Sequence, residues 1–200
     1  MEKIEGDAFV RVVAFNGSPR KNGNTTILLT TALDQLKREG IETELYQLAG
    51  KNIQGCTACY RCLEKKNARC AVDGDALNEC LEKVPESDGI LIGSPIYFSD
   101  VSAATRALLE RTGFVAQANG CLFKRKVGAG VIAVRRGGAI HALTSINLFL
   151  SYHQMINPGS SYWTFDIGRE PGDVSSDEEG IRSMVTLGQN MAWVLKKLKE

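Results

Sequence analysis

Apolar positions follow two rhythms along this chain. Residues 9–16, 89–93 and 127–134 are short, nearly unbroken apolar runs, the pattern of strands buried on both faces. Between them, apolar residues recur at helical spacing. Leu28, Leu29, Ala32, Leu33 and Leu36 form one stripe, which Asn24 or Thr25 can cap and Gly40 ends. Leu77, Cys80, Leu81 and Val84 form a second, between Asp75 and Pro85. Ser102 opens a third, with Leu108, Leu109 and Arg111, which Gly113 is expected to close. A further helix is expected near residues 140–152. Ile181, Met184, Val185, Gly188, Met191, Ala192, Leu195 and Leu198 mark the buried side of the last. That helix carries Asp177, Glu178 and Glu179 at its start and Lys196, Lys197 and Lys199 at its end, each complementing the helix dipole. Residues 41–48 read as an outer strand, and the final strand is expected within 155–163, where Pro158 and Gly159 blur it.

Strands alternating with helices imply right-handed crossovers and a parallel sheet covered on both faces. With about five strands, the order 2-1-3-4-5 is the natural candidate. This is an α/β, flavodoxin-like three-layer sandwich, a single domain over residues 1–200. Residues 50–74 hold four cysteines, show no period and are too short to bury a core. They read as a cysteine-rich, site-forming insertion after the second strand.

The 200 residues, 44% hydrophobic and 24% charged, suit one globular domain with a sizeable core. A net charge of +1 argues against a nucleic-acid partner or a broad anionic-membrane surface. No apolar run approaches the roughly 18 residues of a membrane span. The charged start, residues 1–7, does not resemble a signal peptide. A cytoplasmic location is therefore expected, where thiols stay reduced, so metal, cluster or redox roles come forward for the six cysteines.

In such a sheet, ligands bind beyond the carboxyl ends of strands one and three. The first exit, residues 17–25, leads into a helix N-terminus, where free N–H groups favour an anion. Ser18, Asn24, Thr25 and Thr26 add short polar groups and Arg20 a planar cationic fork. The loop matches neither the dinucleotide glycine fingerprint nor the nucleotide P-loop, and better suits one terminal phosphate. A plain capped turn is the alternative. At the second exit, Pro95, Ile96, Tyr97 and Phe98 offer an apolar, partly aromatic wall; ordinary core is the alternative. At the third, Val134, Arg135, Arg136 and Gly137 offer backbone amides and positive charge, or a solvated loop.

Together, Gly-Ser-Pro-Arg-x-x-Gly-Asn-Thr, a cysteine-rich segment, Gly-Ser-Pro-Ile-Tyr-Phe-x-x-Val-Ser-Ala and Arg-Arg-Gly-Gly-Ala resemble the flavodoxin-fold NADPH-dependent FMN reductases. Within that group, the cysteine segment is similar to the iron–sulfur flavoproteins. The resemblance implies FMN as cofactor, with Ser18, Arg20, Asn24 and Thr25 at its phosphate. Pro95, Ile96, Tyr97 and Phe98 would lie along the ring, and Val134, Arg135 and Gly137 at its far edge. It also implies a homodimer or homotetramer. Electrons would come from NAD(P)H and leave to a quinone, a flavin or a redox protein.

Cys56-x2-Cys59-x2-Cys62-x7-Cys70 has the close spacing with which ferredoxin-like runs present thiolates to an iron–sulfur cluster. A 4Fe–4S cluster, tetrathiolate zinc, a redox disulfide and a metal-free segment all remain open. Cys80 falls on a helix stripe and reads as core, and Cys121 has no partner by spacing. His141 and His153 read as structural, and no Ser/His/Asp triad emerges. The expected function is an FMN-dependent NAD(P)H oxidoreductase. The alternatives are a non-enzymatic FMN electron carrier and a flavin-free zinc module.

Overall fold

The computed structural model describes residues 9–200. The charged residues 1–7 lie outside them. The chain runs β1 (Arg11–Asn16), α1 (Asn24–Arg38), β2 (Glu42–Gln47), α2 (Arg61–Lys65), α3 (Leu77–Lys83), β3 (Gly89–Tyr97), β4 (Asp100–Val101) and α4 (Ala103–Ala118). It continues through β5 (Val127–Val134), α5 (Ala139–Tyr152), β6 (Phe165–Ile167), a 3-10 turn (Asp173–Ser176) and α6 (Glu178–Lys197).

The parallel sheet has the order β2-β1-β3-β5-β6. β4 only folds back antiparallel on the end of β3, so the order is the expected 2-1-3-4-5. Val12 and Ala14 face one core with Leu28, Leu29, Leu36, Met184 and Met191, beneath α1 and α6. Val13 and Phe15 face the other, with Leu81, Leu108, Ile146 and Leu150, beneath α3, α4 and α5. Each such buried side chain contributes roughly 1.5–3 kcal/mol. Among the described residues, no helix is long and apolar enough to cross a membrane.

Several expectations need correction. Strand β1 begins at Arg11 rather than residue 9, and Phe9 is exposed. Helix α4 does not close at Gly113 but runs on to Ala118. Gly113 instead lets α5 approach: a Cβ there would lie 3.1 Å from His153 Nε2 and 3.3 Å from Phe149. The last strand is not within 155–163. Ile156 makes one isolated bridge to Val127, the chain leaves the sheet through Pro158 and Gly159, and it returns as β6. On α6, Leu187 is buried and Leu198 exposed, because the stripe ends with the last turn. Neither Asn24 nor Thr25 caps α1; Gly23 stands at its N-cap.

Candidate functional site

The loop after β1 is held from beneath. The Asn16 carboxamide donates to Thr26 Oγ1 (2.8 Å) and accepts from the Ser18 amide (3.0 Å). Thr26 in turn donates to the Lys21 carbonyl (2.6 Å). Ser102 donates to the Gly17 carbonyl (2.7 Å). A Cβ on Gly17 would come within 1.8 Å of Thr105 Oγ1, so only glycine lets the loop seat on α4.

Asn24 is used as a clasp. Its Nδ2 donates to the Glu170 carbonyl (2.9 Å), and its Oδ1 accepts from the Gly172 amide (2.8 Å). The α1 N-terminus is left without a side-chain cap or an acidic residue in its first turn. Among the four long helices, α4 and α6 are capped, by Ser102 and Asp177. The two that begin at the carboxyl ends of β1 and β5, α1 and α5, are not. Uncapped N-termini present free N–H groups and positive dipole ends, which favour an anion.

At the α1 end lies a cleft of about 250 Å³, lined by Ser18, Arg20, Gly23, Asn24, Thr25, Pro95, Ile96, Tyr97, Ala133, Arg135, Gly168 and Arg169. Three arginines and no acid face it. Arg20 forms no ion pair with any described residue, and Arg169 pairs only with exposed Glu170, at 3.3 Å. Four residues named from sequence do not line it. Thr26 is committed inside the loop. Val134 is buried in the sheet, paired with Ile167. Gly137 lies on the open loop beyond β5. Phe98 stands fully exposed at the tip of the β3–β4 hairpin, with left-handed backbone (φ 48°). That tip packs on the third loop, where a Cβ on Gly138 would lie 2.7 Å from Ser99 Cα.

Arg169 and Gly168 were not foreseen, because they follow a strand placed too early in the sequence. Asn16 was read only as the end of a strand. A larger cleft of about 390 Å³ runs along Leu143, Asn147, Tyr162 and Trp163, but no charged residue lines it.

All four cysteines of the run line one narrow cavity, with Val72, Arg111, Phe114 and Val115 as its inner wall. The segment is built on unusual backbone: Ala58, Tyr60, Lys66 and Ala68 all have positive φ, between 45° and 56°. Each such conformation costs about 1–3 kcal/mol in a non-glycine residue, and such strain clusters at functional sites. At Ala58, and just after Tyr60, amides face sulfur. The Ala58 N–H lies 3.4 Å from Cys56 Sγ, and the Arg61 N–H holds the Cys59 thiol below its ordinary pKa. Burial pushes the Cys62 thiol up. Among the described residues, no three Cys, His, Asp or Glu side chains converge as on a single metal ion. The thiols surround a cavity instead. Amide donors to sulfur and thiols spread round an apolar pocket fit a cluster better than one zinc ion.

Arg111 was expected merely as part of a helix stripe. Its side chain is 1% exposed, and Nη2 donates to Cys70 Sγ at 3.2 Å. The available signal was a charge at a core position of α4, three residues from Leu108 and four from Val115. Cys80 is core, its thiol pushed up by burial to about 12. His153 is buried among Phe123, Phe149 and Tyr152, which disfavours its protonation.

Residues 10–170 match the family model described as NADPH-dependent FMN reductase. An iron–sulfur flavoprotein of Methanocaldococcus jannaschii is 36% identical over 198 residues, covering 96% of this chain and 100% of the relative. Among solved structures, RosB with bound 8-demethyl-8-formylriboflavin-5′-phosphate superposes with a TM-score of 0.72 at 20% identity, covering 95% of this chain and 80% of RosB. An archaeal flavodoxin gives 0.60 at 13% identity, over 94% and 99%. The flavodoxin-like sandwich and the similarity along nearly the whole length lead to one conclusion: this chain belongs to the NADPH-dependent FMN reductase family and, within it, to the iron–sulfur flavoproteins.

Proposed function

We propose that this FMN-dependent oxidoreductase draws its electrons from NAD(P)H. It binds the flavin phosphate at the α1 N-terminus and carries a 4Fe–4S cluster on Cys56, Cys59, Cys62 and Cys70. The observation that carries this reading is the uncapped α1 N-terminus opening into a cleft with three arginines and no acid. When bound, the flavin supplies the exchange between two-electron and one-electron transfer, and a cluster supplies one-electron transfer.

The protein's own residues bind and orient. Ser18, Thr25 and the first amides of α1 hold the phosphate, and Arg20 neutralises it. Pro95, Ile96 and Tyr97 back the ring, and Arg135 faces its polar edge. Thr26 and Asn24 shape the phosphate loop. Val134 and Gly137 position Arg135, and Phe98 guards the cleft mouth. No acid, histidine or cysteine lines the cleft, so no general acid or base is assigned. The domain spans residues 1–200, works in the cytoplasm and passes electrons to a quinone, a flavin or a redox protein. Exposed Ile140, Leu148, Tyr152 and Trp163 support self-association as a homodimer or homotetramer.

Anaerobic oxidation of NADPH and NADH by the FMN-loaded protein, with quinone, free FMN and a ferredoxin as acceptors, tests the reading. Turnover with at least one pair is expected. Tight FMN binding with no turnover of either nicotinamide would overturn it. That result would favour a second reading, a non-enzymatic electron carrier, which the exposure of Cys56 and Cys59 to an approaching partner supports.

A further inference from the structure

The buried charges beside the cysteine cavity have no part in the function described so far. We infer that Arg111 and Asp75 are an opposed pair beside the Cys70 sulfur whose two members shift the cluster's reduction potential in opposite senses. The inference rests on the cluster reading proposed above.

Arg111 is among the most deeply buried large side chains of the protein, and Asp75 is 3% exposed beside it. Arg111 Nη1 pairs with the Asp75 carboxylate and donates to the Gln54 carbonyl (3.2 Å). Nη2 is shared between the Val72 carbonyl (2.8 Å) and Cys70 Sγ (3.2 Å). Asp75 also accepts from the Leu77 amide (3.1 Å) and the Gln54 amide (3.2 Å). The guanidinium therefore ties both flanks of the cysteine segment to α4.

Cys70 is fixed independently through its backbone. Asn78 Oδ1 accepts from the Cys70 amide (2.8 Å), and Asn78 Nδ2 donates to the Cys70 carbonyl (3.1 Å). Holding this backbone in place does not require a cation at the sulfur. A buried ion pair is also weak evidence for stability as such, because its desolvation offsets its attraction. Its specific contribution is a fixed positive charge and an N–H donor at one ligand sulfur, on a rigid helix.

One-electron reduction adds a negative charge to a cluster. A guanidinium donating to a ligand sulfur stabilises that added charge and raises the potential, and a nearby carboxylate opposes it. The two members of the pair therefore pull in opposite directions. A purely structural pair would not: breaking it from either side would only loosen the segment.

The test is an anaerobic redox titration of the iron–sulfur absorbance and electron-paramagnetic signal. It uses the full-length wild type, Arg111→Gln, Asp75→Asn and the double variant, with iron content and circular dichroism measured alongside. At a fixed ambient potential, Arg111→Gln should lower the reduced-to-oxidised ratio at least tenfold, which is about 59 mV for one electron. Asp75→Asn should raise the ratio, and the double variant should return near wild type. Shifts in the same direction, or none beyond threefold, would overturn the inference. If Arg111→Gln fails to fold, Asp75→Asn decides alone: an unchanged or lowered potential overturns it. A wild-type protein that binds FMN but takes up no iron, after anaerobic incubation with iron and sulfide, rejects the cluster reading itself and this inference with it.

Discussion

Asp166, in the centre of β6, places a buried carboxyl against the carboxylate of Asp177, the cap of α6. Its Oδ2 accepts no hydrogen bond from any described residue, and Gly180 lies so near that a Cβ there would come within 2.2 Å of the carboxyl carbon. Burial first, then the hydrogen bond and charge of Asp177, raise the Asp166 pKa to about 7. Asp177 is held below its ordinary value, chiefly by the hydrogen bond from Asp166.

The sign follows from proton counting. Between the ordinary carboxylate pKa and about pH 7, folded Asp166 keeps a proton that the unfolded chain has lost. Its contribution is full in acid and disappears as pH rises through about 7. The Asp177 contribution runs the other way, lost as pH falls below the ordinary carboxylate range. Urea unfolding from pH 5.5 to pH 8, at roughly half-unit steps, should show wild type losing stability relative to Asp166→Asn, by at most about 2 kcal/mol. Parallel curves for the two proteins would refute the shared-proton assignment.

Gly17→Ala drives a methyl group into Thr105. Overpacking of this kind costs about 1–3 kcal/mol, and here it displaces the phosphate loop as well. Thermal melting should show a loss of roughly 2–4 °C per kcal/mol, with weaker FMN binding by fluorescence titration. Adding Thr105→Ala should restore part of both. Full FMN affinity in the single variant would mean that the loop tolerates the shift.

Removing Arg20 tests the phosphate assignment. Arg20→Ala should weaken FMN by about 1.5–3 kcal/mol, the range of a charged hydrogen bond, while riboflavin, which lacks the phosphate, changes little. Calorimetry with both ligands reads the difference. Equal losses for both would move Arg20 from the phosphate to the ring.

Two cysteines should part company. Cys59→Ser should abolish iron retention and leave the flavin bands intact. Cys80→Ala should keep the iron but lower the melting temperature, because its thiol lies in the core beneath α3. Iron analysis beside the visible spectrum separates them; retained iron in Cys59→Ser would remove that residue from the ligand set.

Much of this architecture was legible because the strongest signals are physical and local. The apolar runs of β1, β3 and β5 and the stripes of α1 and α6 leave little choice of structure, and the strand order is that of the five-stranded doubly-wound sheet. The last strand was hidden because β6 has only three residues, with a buried aspartate at its centre. Asn24 was read as a cap by its residue type, while its actual partners lie in a loop far along the chain. Arg111 could be placed only on its helix, because its partners are likewise distant in sequence, and only the cavity it faces gives the buried charge a meaning. Local pattern thus points to the two candidate sites, but not to the long-range polar contacts around them.

The Asn24 clasp also bears on biosynthesis. Its partners lie 146 and 148 residues further along the chain, so the phosphate loop leaves the ribosome long before the segment that closes it. Closure of the first loop therefore waits until Gly172 has emerged, and a chain arrested or cleaved before it would have the flavin motifs and the cysteines but lack that closure.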